Sequence, residues 1–110
     1  MTEEEATALG KRLSACKHFR PMPGLKDMQG RTWDDSLLWR WNPGVDVPDL
    51  RQPASMGILL ACVREAWGPR CYTQACGGYW TVQNEDTDDA WGDHCVYEAE
   101  AGVAALEAKP

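Results

Sequence analysis

The chain has 110 residues, 44% of them hydrophobic, and a formal net charge of −6. This length predicts a single domain, 1–110, with enough apolar residues to bury a core, and the negative charge disfavours general binding to nucleic-acid phosphates. No apolar run approaches the roughly 20 residues of a membrane helix, which argues against a membrane protein. The acidic start MTEEEATALG does not resemble a secretory signal, so we expect a cytoplasmic location.

The charges and the cysteines narrow the class further. Residues 1–64 carry nine basic residues against eight acidic ones, whereas residues 65–110 carry two against nine. The cysteines are five, an odd number, and the start of the chain does not resemble an export signal, so we expect reduced thiols and not a disulfide framework.

The first half of the chain predicts a helix followed by strand material. Residues 3–17 repeat apolar side chains at helical spacing, and Thr2 with Glu5 has the spacing of a capping box. Downstream, Trp39 and Trp41 alternate with Arg40, which predicts a strand at residues 37–41. We expect this strand to pair with residues 30–34 or with the segment near Phe19.

A second helix is predicted from Pro53, which suits a first helical position, to the Gly68-Pro69 stop. Its long apolar face comprises Met56, Leu59, Leu60, Val63 and Trp67. A glycine in a helix interior costs roughly 1 kcal/mol relative to alanine. We therefore expect another backbone to approach Gly57 closely.

The last third predicts three strands and a helix. The segment CYTQACGGYWTVQN is typical of a hairpin that turns at Gly77-Gly78. The acidic loop EDTDDAWGD follows, then a third strand at HCVY, and the closing EAEAGVAALEAKP predicts a helix. Glu85 to Glu100 contains seven acidic residues and no basic one.

Together these elements predict an α+β fold with helices packed on one face of a small antiparallel sheet, in the order α-β-α-β-β-β-α. From Pro53 onwards the order α-β-β-β-α is also that of a double-stranded RNA-binding module. That module requires basic residues to meet phosphates, and here the matching half of the chain is the acidic one.

The segment DLRQPASMGILLACVREAWG resembles a family of small uncharacterised phage and prophage proteins. Their central pattern is close to D-L-x-D-P-A-T-x-G-x-L-L-x-L-V-R-E-A-W-G, and Gln52, Ser55 and Cys62 depart from it. The resemblance extends weakly to HFRPMPGL and EAEAGVAALEA, and it brings no catalytic motif. It implies an accessory phage protein that works in a bacterial cytosol.

Metal binding and catalysis receive little support from the sequence. A tetrahedral zinc site would form only if the sheet brought four side chains together: Cys71, Cys76, His94 and Cys95. Cys16 with His18 could supply ligands instead. Cys71 and Cys76 differ by an odd number of positions, so on one strand they face opposite sides. No nucleotide-binding, serine-hydrolase or metalloprotease motif occurs, and the aspartates of the acidic loop do not follow a calcium-loop register. We expect no enzyme and no cofactor.

Interaction is the remaining class of function. Trp91 lies among acidic residues, and tryptophan is frequent in binding hot spots. We expect an acidic, tryptophan-bearing face made of Trp91, Asp86, Asp88, Asp89 and Asp93. The alternative for Trp91 is that its ring folds back over the sheet edge.

The sequence thus predicts a non-enzymatic phage or prophage accessory protein. We expect it to bind a host or phage macromolecule, foremost a protein, through the acidic face, as an accessory factor or as an inhibitor. A homodimer stays open as a further arrangement. The competing hypothesis is a zinc-stabilised or nucleic-acid-binding regulatory module that uses the four metal candidates or the basic N-terminal half.

Overall fold

The computed structural model describes all 110 residues and contains three α-helices and a three-stranded antiparallel sheet. The helices are α1 (Glu3–Ala15), α2 (Pro53–Trp67) and α3 (Glu98–Glu107), and the strands are β1 (Cys71–Cys76), β2 (Tyr79–Asn84) and β3 (Ala90–Cys95). The predicted α+β class is confirmed. None of the helices combines the length and the apolar character needed to cross a membrane.

The chain forms two compact units, Met1–Ile58 and Leu59–Pro110, and the boundary falls within α2. In the first unit, the predicted capping box begins α1. The Thr2 side chain accepts from the N–H of Glu5, and the Glu5 carboxylate accepts from the N–H of Thr2. Ala6, Leu9 and Leu13 form the buried face of α1, as their helical spacing predicts.

The loop at residues 43–48 packs closely against α1. The Ser14 hydroxyl contacts the carbonyl oxygens of Pro43 (2.6 Å) and Asp46 (3.0 Å). A Cβ atom at Gly10 would overlap the carbonyl oxygen of Pro48 and lie 2.6 Å from a methyl carbon of Val47. Gly10 is therefore the helical glycine that a close backbone contact requires in this unit.

Gly57 in α2 does not have the role predicted for it. No atom lies within 4 Å of the position of a Cβ there, and the residue is exposed. The neighbouring Ser55 supplies the contact instead. Its buried hydroxyl donates to the carbonyl of Lys26 (2.7 Å) and accepts from the N–H of Lys26 (2.9 Å).

The strand predicted at residues 37–41 is wrong, because Leu38–Arg40 forms a short 3₁₀ helix. The Asp34 side chain accepts from the N–H and hydroxyl of Ser36, and the Asp34 carbonyl accepts from the N–H groups of Leu37 and Leu38. These local bonds curl the chain. Between α1 and α2, β pairing is limited to two isolated bridges, Lys26↔Thr32 and Asp27↔Pro48.

A buried carboxylate holds this part of the first unit together. Asp27 accepts hydrogen bonds from the N–H groups of Gln29 and Arg31, from the Arg31 side chain (2.7 Å) and from the Trp33 indole (2.9 Å). Burial raises the pKa of Asp27, but the hydrogen bonds from Trp33, Arg31 and Gln29 outweigh it and hold the pKa below its ordinary value.

In the second unit the strands follow the order β1-β2-β3. The predicted hairpin is confirmed, with Cys76 opposite Tyr79 and Cys71 opposite Asn84. Gly77 (φ 59°) and Gly78 (φ 91°) both have positive φ, as a two-residue type I′ turn requires.

The third strand begins at Ala90, four residues before the predicted HCVY segment. Val82 pairs with Trp91 but Trp80 pairs with Cys95, so β3 bulges between these two pairs. The bulge contains Gly92 (φ 79°) and His94 (φ 64°). A Cβ at Gly92 would lie 2.7 Å from the Cα of Ala101, so the bulge allows α3 to approach the strand closely.

Helix α3 covers one face of the sheet and supplies much of the core of the second unit. Its residues Ala99, Ala101, Val103, Ala105 and Leu106 are buried. The C-terminal half of α2 packs on α3, because the space above Gly102 is occupied by the side chain of Leu59. The opposite face of the sheet carries the exposed Tyr72 and Tyr79.

Candidate interaction surface

Of the predicted loop EDTDDAWGD, only residues 85–89 lie between β2 and β3, because β3 begins at Ala90. These five residues form a turn that the buried Asn84 organises, and from here on the acidic loop means residues 85–89. The Asn84 amide nitrogen donates to the carbonyl of Trp67, and its amide oxygen accepts from the N–H of Asp86. The Asn84 N–H donates to the carbonyl of Asp89, and its carbonyl accepts from the N–H of Asp88. All four bonds are 2.9 Å long, so Asn84 joins the loop to the end of α2.

The acidic side chains point into solvent with little compensating positive charge. All four predicted aspartates, Asp86, Asp88, Asp89 and Asp93, are exposed. Arg70 approaches Glu85 (2.8 Å) and Asp86 (3.3 Å), but these side chains are about half exposed and such pairs contribute little. No basic side chain pairs with Asp88 or Asp89, and Asp88 is held at φ 60°.

Trp91, the fifth predicted contact residue, lies on β3 and is half-buried. Its ring stacks on Trp67 with 4.4 Å between ring centroids and 28° between planes. The Trp67 indole in turn donates to the carbonyl of Ala105 (2.8 Å), and the Lys109 ammonium lies 4.6 Å from the Trp67 ring centroid. The exposed part of the predicted face is therefore formed by carboxylates, with the tryptophan pair packed beside them.

The four metal candidates do not form a cluster. Cys71 and Cys76 lie at opposite ends of β1, the first buried and the second exposed, while Cys95 is buried and His94 is exposed. No group of three or more histidine, cysteine, aspartate or glutamate side chains is arranged to hold a metal ion. No disulfide joins any of the five cysteines. Burial raises the pKa of the Cys71 thiol, which favours its protonated form.

An exposed tryptophan outside the predicted acidic face lies in the first unit. Trp39 is 80% exposed on the 3₁₀ helix, and its indole donates to the carbonyl of Ser36 (2.8 Å). The Arg40 guanidinium lies 5.8 Å from the Trp39 ring centroid. Asp34 and Ser36 are residues that favour a turn, and they could have indicated the 3₁₀ helix. The alternation of Trp39 and Trp41 favoured a strand instead.

Beside this turn lies an open cavity of about 270 Å³, lined by Arg31, Thr32, Trp33, Leu37, Arg40 and Asp46. Arg31 is fixed by Asp27 (2.7 Å) and Asp46 (2.9 Å), and its guanidinium lies 5.3 Å from the Trp33 ring centroid. Two carboxylates thus balance the two arginines at this site. The local neutrality gives the cavity no clear preference for an anion or a cation.

Comparison with protein-family models, with curated proteins and with solved structures found no match to this chain. The exposed side chains of Asp86, Asp88, Asp89 and Asp93 together form what we call the acidic surface.

Proposed function

We propose that this protein is a non-enzymatic binding protein whose acidic surface docks on a basic surface of another protein. The observation that carries the proposal is the ordered acidic loop. Buried Asn84 is hydrogen-bonded at its main chain and its side chain, and these bonds keep three neighbouring aspartates in fixed, exposed positions.

Rigid placement of like charges favours binding for two reasons. The carboxylates repel one another in the free protein, and a basic partner relieves that repulsion. A loop that is already ordered also loses little conformational entropy on association. Complementary charge additionally raises the rate of encounter.

The partner class follows from this charge. A basic groove that binds nucleic acid is a common positively charged surface in a cell, and an array of aspartates competes for it electrostatically. We propose that the protein occupies such a groove and inhibits the nucleic-acid-binding protein that contains it, in line with the resemblance to phage accessory proteins. In this proposal the protein acts in the cytosol of a bacterial host. In this proposal Trp91 supports the strand beneath the loop.

The test compares two variants of equal net charge. The first neutralises the acidic loop with Asp86→Asn, Asp88→Asn and Asp89→Asn, and asparagine also tolerates the positive φ of residue 88. The control neutralises three exposed acids elsewhere with Glu3→Gln, Glu4→Gln and Asp35→Asn.

Each protein is immobilised, and proteins captured from a bacterial lysate are identified and quantified by mass spectrometry. We expect basic proteins to be retained by the wild type and by the control and to be lost from the loop variant. Identical capture by all three proteins would contradict the proposal. Stoichiometric zinc in the purified protein would favour the competing hypothesis of a metal-stabilised module.

A further inference from the structure

Strand β1 lies at one edge of the sheet, with part of its backbone hydrogen-bonding capacity directed away from β2. The two-residue turn makes Cys76↔Tyr79 a hydrogen-bonded pair, and such pairs alternate along an antiparallel ladder. The N–H and C=O groups of Thr73 and Ala75 therefore point outward, where no protein group bonds to them. At Cys71 the same outward groups bond to the Gly68 carbonyl and to the Arg64 side chain.

The two edges of this sheet differ in how they are protected. Natural sheets block unwanted pairing with lysine, proline or bulges on edge strands. Strand β3 has a bulge at Gly92–His94. Strand β1, CYTQAC, has no charge and no proline, and it pairs in unbroken register over six residues. An unprotected edge of this kind is suited to accept an additional strand.

The charges around β1 indicate which strand it accepts. Residues 59–110 contain three basic and nine acidic residues, a net charge of −6. Glu98 accepts from the Thr73 hydroxyl (2.6 Å) beside the edge. Near the beginning of β1, Glu85 and Asp86 are paired with Arg70, so Glu98 is the carboxylate that this edge offers to a basic side chain. Two copies of this unit would repel each other, whereas lysine or arginine side chains on an added strand would meet carboxylates.

We propose that the β1 edge binds an extended, basic segment of a protein partner as a fourth strand. The outward groups of Thr73 and Ala75 form the backbone hydrogen bonds, and a basic side chain on the Thr73 face reaches Glu98. The choice of a basic segment rests on the proposed function, which it deepens by naming the conformation in which the partner is bound.

The test removes one outward N–H without touching the ladder between β1 and β2. Ala75→Pro does this, since an edge strand tolerates proline where the N–H faces solvent. Ala75→Val is the matched control, because it retains the N–H and suits a strand. The probe is a capped decapeptide of alternating lysine and valine, with a glutamate–valine decapeptide for comparison. Far-UV circular dichroism establishes that both variants are folded.

Binding is followed by isothermal titration calorimetry and by amide hydrogen exchange in NMR spectra. We expect the lysine–valine peptide to bind and to slow exchange at Thr73 and Ala75. We expect at least a tenfold loss of affinity in Ala75→Pro, a change within twofold in Ala75→Val, and no binding of the glutamate–valine peptide.

Three outcomes would overturn the inference. They are no binding of the lysine–valine peptide at 1 mM protein, equal binding by Ala75→Pro, and a dimer in analytical ultracentrifugation that Ala75→Pro abolishes. The two proposals can fail separately. If Ala75→Pro binds the peptide as well as the wild type does, while the loop variant loses its lysate partners, the edge inference fails and the acidic-surface proposal stands. If the loop variant captures the same lysate proteins as the wild type, while the peptide slows amide exchange at Thr73 and Ala75, the acidic-surface proposal fails and binding at the β1 edge is supported.

Discussion

The same substitution, glycine to alanine in a helix interior, should change stability in opposite directions at Gly10 and Gly57. Alanine stabilises a helix by about 0.5–1 kcal/mol relative to glycine. At Gly57 nothing lies within 4 Å of the new methyl group, so Gly57→Ala should show this gain in full.

At Gly10 the new methyl group would overlap the Pro48 carbonyl and crowd Val47. A carbonyl oxygen is part of the backbone and cannot rotate away, and the Ser14 hydrogen bonds hold the same loop against α1. Overpacking of this kind costs typically about 1–3 kcal/mol. Because the overlap is with backbone, the upper part of this range applies, about 2–3 kcal/mol. Set against a helix gain of about 0.5–1 kcal/mol, Gly10→Ala should lose about 1–2.5 kcal/mol. The helix gain is common to both variants, so they should differ by the overpacking cost alone, about 2–3 kcal/mol.

Urea unfolding followed by far-UV circular dichroism measures both variants, with free energies taken by linear extrapolation. Thermal unfolding gives an independent order of stability. A Gly10→Ala protein as stable as the wild type would show that residues 47–48 do not pack on α1 as described. A destabilised Gly57→Ala protein would show that Gly57 has a contact after all.

Two further predictions concern the carboxylates of the first unit. Asp27→Asn should lower the free energy of unfolding by about 3 kcal/mol, because an amide cannot accept all four hydrogen bonds made to Asp27. The control Asp93→Asn, at an exposed residue of the second unit, should change it by less than about 0.5 kcal/mol. Equal urea midpoints for the two variants would contradict this prediction. The hydrogen bonds to Asp27 hold its pKa below the ordinary value, and buried Asp49 resembles it: hydrogen bonds from the Arg51 side chain and N–H (3.0 Å each) outweigh burial and lower its pKa. The unfolded chain therefore binds more protons as the pH falls. The stability they contribute is fully present above about pH 4 and is lost as the pH falls through the lowered values, and urea midpoints across acid pH should fall less steeply in Asp27→Asn than in the wild type.

The elements that the sequence predicts well are those encoded by neighbouring residues. The capping box of Thr2 and Glu5, the proline start of α2 and the Gly77-Gly78 turn each depend on contacts within a few positions. The alternation around Arg40 is also local, but it covers only three residues. The turn bonds of Asp34 outweigh it, and a 3₁₀ helix forms.

The features that the sequence did not predict depend on distant partners. Which helical glycine is crowded depends on Pro48, which lies far along the chain from Gly10. The position of Trp91 depends on Trp67 in another element, and the early start of β3 depends on its pairing with β2. The solvent exposure of the aspartates, by contrast, could be predicted from the sequence, because it depends only on the dense acidic composition of the loop.

The stacked pair of Trp67 and Trp91 also has an optical consequence. Two indoles 4.4 Å apart, with planes 28° from parallel, couple their electronic transitions and produce an exciton signal in circular dichroism that separated tryptophans lack. Trp67 bonds through its carbonyl to Asn84, the residue that organises the acidic loop. A partner that displaced Asn84 would change the geometry of the indole pair and this signal, whereas docking on the loop as it stands would leave the signal unchanged. The unlabelled protein would thus distinguish the two modes of binding by its own spectrum.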